Sequence, residues 1–179
     1  MFKFASAAFA VCFALLINSV PASAADLENT LYLDLKDGRV VIELLPEIAP
    51  RHVERIKTLT REKFYDGIVF HRVIDGFMAQ TGDPTGTGMG GSDYPDVRQE
   101  FSSEPFIRGV IGAARSQHPD SANSQFFIVF DDSRFLDTNY TVWGRVIEGM
   151  EFVDNIKLGE PPVNPDTIIR MQVAADVTE

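Results

Sequence analysis

Leu31-Tyr32-Leu33-Asp34-Leu35-Lys36-Asp37-Gly38-Arg39-Val40-Val41-Ile42-Glu43-Leu44 carries an apolar residue at every second position on each side of an Asp37-Gly38 pair. Alternation with period two marks a strand with one buried face, and Asp-Gly suits a tight hairpin turn. The stretch is read as a half-buried β-hairpin that Pro46 ends. Pro50 then fits the first turn of a helix, with Val53, Ile56 and Leu59 at helical spacing and charges on the opposite face. Asp66-Gly67 marks a further turn. Strand-like runs follow at Ile68–Ile74, Phe77–Thr81, Val110–Ala114, Phe126–Phe130 and Thr141–Val146. Met150–Ile156 reads as a second short helix, and Pro161, Pro162 and Pro165 make a stiff loop before a closing strand, Ile168–Val173. About eight strands and two helices joined by short turns predict a mainly β fold, a closed antiparallel barrel with helices capping its ends. An open sandwich is the alternative that the pattern leaves.

Upstream of the hairpin, Lys3, the apolar run Phe4–Val20 and the small residues Ala22-Ser23-Ala24 form a secretory signal pattern, expected to be cut before Ala25. Pro21 and the A-x-A spacing favour cleavage over a membrane anchor. The expected organisation is a signal peptide, 1–24, and one domain, 25–179, destined for the periplasm. Of the 179 residues, 45% are hydrophobic and 23% charged, a globular mix. Without Lys3, 15 basic residues face 26 acidic ones, a net charge of −11. So acidic a domain lacks the Lys/Arg patches that nucleic acid demands and suits neither nucleic acid nor an anionic membrane surface. Cys12, the one cysteine, lies in the leader, which excludes thiol catalysis and disulfides from the domain. A monomer is expected.

Several chemistries fail on spacing. Gly86-Thr87-Gly88-Met89-Gly90-Gly91 satisfies G-x-G-x-x-G, but Asp83-Pro84 precedes it and Ser92-Asp93-Tyr94-Pro95 follows, so no helix N-terminus faces a pyrophosphate. It reads instead as a glycine-rich loop with backbone open to a ligand. His52, His71 and His118 form no ligand-spaced pair, so no metal is expected. No serine sits in a G-x-S-x-G elbow.

The informative stretch is Phe70-His71-Arg72-Val73-Ile74-Asp75-Gly76-Phe77-Met78-Ala79-Gln80. Read as strand, turn, strand, it brings Arg72, Phe77, Met78 and Gln80 to one surface. Either Arg72 is a structural arginine lying over apolar surface and paired with an acid, or an apolar pocket takes a ring while a fixed guanidinium polarises an adjacent carbonyl. In Ser124-Gln125-Phe126-Phe127-Ile128-Val129-Phe130, alternation puts Gln125 and Phe127 on one face. These segments, with Thr81-Gly82-Asp83, Gly88–Gly91, Phe135-Leu136-Asp137 and Val142-Trp143-Gly144, resemble the cyclophilin-type peptidyl-prolyl cis/trans isomerases, bacterial periplasmic kind, across nearly all of Asn29–Val173.

The resemblance implies a closed eight-stranded antiparallel β-barrel capped by two α-helices, with the peptide groove on its outer face. It implies that Arg72 is the catalytic arginine and Gln80 helps to hold it. Phe77, Met78, Phe127 and Leu136 would line the proline pocket, while Gln125 and the backbone near Ala114 and Arg115 would hold the peptide main chain. Gly88 would flank the groove where a side chain would obstruct. Three departures from the family pattern stand out. Phe135 replaces a frequent tryptophan and its indole donor, so only weak binding of cyclosporin is expected. Tyr140 replaces the groove histidine. Ala114-Arg115-Ser116 replaces Ala-Asn-Ala, and the loop through Gln117–Asn123 reads one residue longer. The implied partners are proline-containing polypeptides, unfolded or newly exported, and no cofactor is needed because no bond is made or broken. A chaperone that holds such segments without turnover is the rival reading.

Overall fold

The computed structural model describes residues 26–177, and the expected leader, Met1–Ala24, lies outside them. The first hairpin forms as its alternation predicts. Strand β1, Thr30–Leu35, pairs with β2, Gly38–Leu44, in the register Leu31 to Ile42 and Leu33 to Val40, which points all four into the core. Helix α1, Pro50–Arg61, begins with its proline in the first turn and buries Val53, Ile56 and Leu59. Then come β3 (Arg72–Ile74), β4 (Met78–Thr81), β5 (Val110–Ala113), β6 (Phe126–Val129), β7 (Val142–Glu148), helix α2 (Met150–Asp154) and β8 (Arg170–Val173). The eight strands make one antiparallel sheet in the order β3-β4-β6-β5-β7-β2-β1-β8. Helix α1 packs over β7 and β8, and α2 over β2.

The sheet curls into a half-barrel that stays open between β3 and β8, not the closed barrel the sequence led us to expect. Its edges approach through irregular segments: Gly67 donates to the carbonyl of Ile168 at 2.7 Å, Phe70 to that of Asp166 at 2.9 Å, and Val69 and Thr167 form a lone bridge. The predicted strand Ile68–Ile74 is part of a ladder only from Arg72 onward. Facing it is the segment with Pro161, Pro162 and Pro165, which lacks an N–H at three positions and meets the strand only through isolated bridges at Gly159 and Thr167.

Strand β6 decides which face does what. Phe126 and Ile128 point into the main core, where the Phe126 ring meets Trp143 and Tyr65 edge-on at centroid distances of 5.4 and 5.6 Å. Phe127 and Val129 point the other way, into a second apolar cluster with Met78, Phe106, Leu136 and Val142. Because large side chains fill the concave side, a ligand has only the outer face available. Across that face the strand registers align Arg72 with Gln80, Gln80 with Phe127, and Phe127 with Gly112. Gly112 makes room for its neighbours: a β-carbon there would stand 2.5 Å from Phe127 Cζ and 2.7 Å from Phe106 Cε1.

Gly112→Ala should therefore push the Phe127 ring outward. We expect a loss of about 1–3 kcal/mol in a urea unfolding titration, typical of overpacking, together with weaker binding of an X-Pro peptide. Unchanged stability and affinity would show that the ring has slack this packing denies it.

Candidate active site

The β3–β4 hairpin does what strand, turn, strand implies. The tight turn at Asp75-Gly76 folds the chain back so that Arg72 faces Gln80 and Ile74 faces Met78. Next to it lies a hollow of about 150 Å³ walled by Phe77, Met78, Phe127, Leu136 and Tyr140, with Arg72, Gln80, Ala114 and Arg115 on its rim. The Phe127 ring is fixed on two sides, stacked on Phe106 at 5.7 Å and edge-on to Tyr140 at 5.7 Å. Arg115 lies over the Tyr140 ring at 4.5 Å and is anchored by donating to the carbonyls of Ser116 and Asn139. A cation over an aromatic face is a favourable arrangement, and here it stiffens the far wall.

A second, wider hollow of about 390 Å³ adjoins the first and shares Gln80, Ala114 and Arg115 with it; Gly88 and Gln125 line it too. The two form one groove, which brings together eleven of the twelve site residues expected from sequence. The twelfth, Phe135, is 71% exposed and lies outside both hollows, with its ring tilted against Phe77 at 5.4 Å. It can shield the pocket but has no N–H to donate.

Polar groups on the rim form a connected set. Arg72 Nη1 points to Gln80 Oε1 at 3.5 Å, long for a hydrogen bond. Gln80 Nε2 donates to Gln125 Oε1 at 2.9 Å, and Gln125 Nε2 donates to the carbonyls of Gly90 and Gly88 at 2.8 and 3.1 Å. Gln125 thus braces the glycine loop as well as facing the groove. Gly88 is required by its backbone more than by space: its φ is +83°, while an added β-carbon would only touch the His71 ring at 3.4 Å. Burial lowers the affinity of His71 for a proton, and the neighbouring Arg72 lowers it further against the pull of Asp83.

Two acids that the sequence reading did not single out shape the site. Glu160 accepts from Arg72 Nε at 2.7 Å. Asp83, 1% exposed, accepts from the backbone N–H groups of Thr85, Thr87, Gly88 and Gly90 at 2.6–3.1 Å and from the Thr85 hydroxyl. Burial alone would push the Asp83 carboxyl up, but the backbone donors of Thr85, Gly90 and Gly88 and the Thr85 hydroxyl outweigh it and bring it down to about 2. An aspartate ahead of a glycine-rich run was a readable signal, since such side chains bond their own downstream backbone. Glu160 had no local signal at all.

A hydrophobic hollow with a guanidinium on its rim, opening into a backbone-lined groove, suits capture of a ring within an extended chain. The family model for cyclophilin type peptidyl-prolyl cis-trans isomerase/CLD matches residues 30–173. A probable peptidyl-prolyl cis-trans isomerase of Brucella suis is 55% identical over 171 residues, covering 87% of each chain. The human peptidyl-prolyl cis-trans isomerase-like 3 is 40% identical over 143 residues, 77% of this chain and 85% of that one. Among solved structures, the cyclophilin AquaCyp293 of Hirschia baltica superposes with a TM-score of 0.79 at 32% identity, covering 86% of this chain and 76% of that one. A Cryptosporidium parvum cyclophilin type peptidyl-prolyl cis-trans isomerase, crystallised in the presence of the dipeptide Ala-Pro, gives 0.75 at 28% identity, covering 80% and 98%. The chain belongs to the cyclophilin-type peptidyl-prolyl cis-trans isomerase family, and its activity is that of an isomerase of X-Pro bonds.

Asp83 makes the loop acid-sensitive. Its folded-state affinity for a proton lies below the ordinary value of 3.8, so its contribution is complete above about pH 4 and is lost as pH falls toward about 2. Other paired carboxylates, Asp34 and Glu100 among them, lose stability in the same range, so urea titrations across that window should show a decline in Asp83→Asn that is smaller than the wild type's by about 2 kcal/mol. At neutral pH that variant should exchange the Gly88 and Gly90 amide protons faster.

Proposed function

We propose that Arg72 supplies the catalysis and that the hollow walled by Phe77, Met78, Phe127 and Leu136 grips the proline ring. The barrier to be lowered is the partial double bond of the imide, roughly 18–20 kcal/mol. At the top of that barrier resonance is lost, and the proline nitrogen regains a lone pair that can accept a hydrogen bond. A donor aimed at the nitrogen binds this twisted state better than either planar isomer, which is the condition for rate enhancement. Arg72 has such a donor: Nε is engaged by Glu160 and Nη1 by Gln80, while Nη2 has no partner among the described residues. With the ring held in the hollow, the chain on the amino side of the bond rotates. The single observation that carries this assignment is that Arg72, with Nη2 uncommitted among the described residues, lines an apolar pocket.

Loss of the guanidinium in Arg72→Ala should remove about 2–4 kcal/mol of transition-state stabilisation, by analogy with loss of an oxyanion donor. Exchange spectroscopy on an X-Pro peptide measures it, with peptide affinity followed in parallel. Arg72→Lys should fail too, since an ammonium cannot engage Glu160, Gln80 and substrate in one plane. An unchanged rate in Arg72→Ala would remove the residue from the mechanism. Wild-type binding without catalysed exchange would favour a holding chaperone instead.

The setting we propose is the bacterial periplasm, with newly exported polypeptides as clients. The Lys3, Phe4–Val20 and Ala22-Ser23-Ala24 pattern supports export, and likeness to Brucella proteins supports only the bacterial part of that setting. Weak cyclosporin binding follows from Phe135, which offers no donor. Mass spectrometry of protein recovered from the periplasmic fraction should give an N-terminus at Ala25. Recovery of the uncut chain in the cytoplasm would rule out export.

A further inference from the structure

The tightest contact on the catalytic guanidinium comes from Glu160, 88 residues away along the chain, at 2.7 Å; the expected holder, Gln80, stands at 3.5 Å. We infer that Glu160 is the positioning residue for Arg72, an inference that rests on the assignment of Arg72 above. Glu160 does not wall the proline hollow. It accepts from Nε, which fixes the rotation of the guanidinium about its stem, and with Gln80 on Nη1 the plane is set and Nη2 is left for substrate. A charge-assisted bond to a planar fork gives orientation that a neutral one gives less well.

The backbone that carries Glu160 is built to hold it there. Val73 donates to Gly159 and Gly159 to Val73, both at 2.8 Å, so these two residues form an antiparallel bridge and place Glu160 beside Arg72. Gly159 has a φ of +146°, and a β-carbon on it would meet Pro162 Cα at 2.5 Å. Pro161 and Pro162 each have φ fixed by their rings. Lys157 closes the arm by donating from its backbone to Asp166 and from Nζ to the carbonyl of Asn164. The arm lies along β3, where the sheet is left open, and it uses the unpaired edge to deliver a carboxylate.

Stability is a poor explanation for the pair. Its side chains are 40% and 53% exposed, and ion pairs in water contribute little to folding. A positioning role makes a different demand, on rate alone.

The test is a series in the full chain: wild type, Arg72→Ala, Glu160→Ala, Glu160→Gln and Glu160→Asp. For each, exchange on saturating X-Pro peptide, peptide affinity, the urea midpoint and the Arg72 Nε–H resonance are measured. Glu160→Ala should slow bound-state exchange about tenfold, equivalent to about 1.4 kcal/mol. Affinity should stay within about twofold and the urea midpoint should not move, while the Nε–H signal broadens. Glu160→Gln keeps an acceptor at the same reach but loses the charge, and should recover part of the rate that Glu160→Ala loses. Glu160→Asp, one methylene short, should behave like the alanine variant. If Arg72→Ala is slow but Glu160→Ala turns over normally, or faster, the positioning role is overturned and Arg72 keeps its own. If Arg72→Ala matches the wild type, the catalytic assignment fails, and the role of Glu160 fails with it.

Discussion

The transverse row Arg72–Gln80–Phe127–Gly112, one residue from each of four neighbouring strands, sets the site. Side chains alternate along a strand, so a slip of one residue in any of the three pairings would turn its member of the row into the main core. The core itself prevents this. Phe126 and Ile128 occupy places among large residues that Gln125 or Gly112 could not fill, and Phe127 cannot share the space Phe126 takes beside Trp143. The register of the outer face is thus held by packing on the inner one. Gly112, having no side chain, lets the Phe127 ring lie back against Phe106 and leaves the hollow open.

Polar order is built onto this row from both ends. From the sheet edge comes Glu160, carried by a proline-rich arm; from the loop comes Asp83, which gathers four backbone N–H groups and sets the course of Thr85–Gly90. Between them, Arg72, Gln80 and Gln125 pass hydrogen bonds to the carbonyls of Gly88 and Gly90. Asp83 is tied to backbone N–H groups and Glu160 to Arg72 Nε, so the polar rim of the groove is ordered before any ligand arrives. Preorganised dipoles of this kind do not have to rearrange as the reaction proceeds.

The local and periodic parts of this design were legible in the sequence. The Leu31–Leu44 hairpin, the helix opened by Pro50, the opposed faces of Phe126 and Phe127, and the return of Gln80 to Arg72 each follow from spacing within about a dozen residues. The resemblance supplied the groove's membership, and of its residues only Phe135 stands outside the two hollows. Closure of the sheet was not legible, because pairing of β3 with β8 depends on donors in a segment far along the chain, and prolines remove three of them. Asp83 was readable in principle from its position ahead of the glycines. Glu160 was not: it is exposed, belongs to no periodic pattern, and becomes a neighbour of Arg72 only through the Val73–Gly159 bridge.

An open seam and a poised arginine are two sides of one arrangement. Had β3 paired fully with β8, the neighbour of Arg72 would have been set by a regular ladder, with side chains projecting at right angles to the sheet. An irregular arm instead runs along the edge and brings the Glu160 carboxylate within 2.7 Å of Nε. A regular sheet satisfies its backbone with other backbone and leaves little freedom to aim a side chain. Here the freedom is confined to one edge, and the remaining seven ladders keep the hollow rigid. The reaction asks for no bond to be made, only for one twisted geometry to be favoured over two planar ones, and in the role proposed for Arg72 what matters is the aim of one donor at a single nitrogen. A fold that is stiff everywhere except where it must aim is well matched to that requirement.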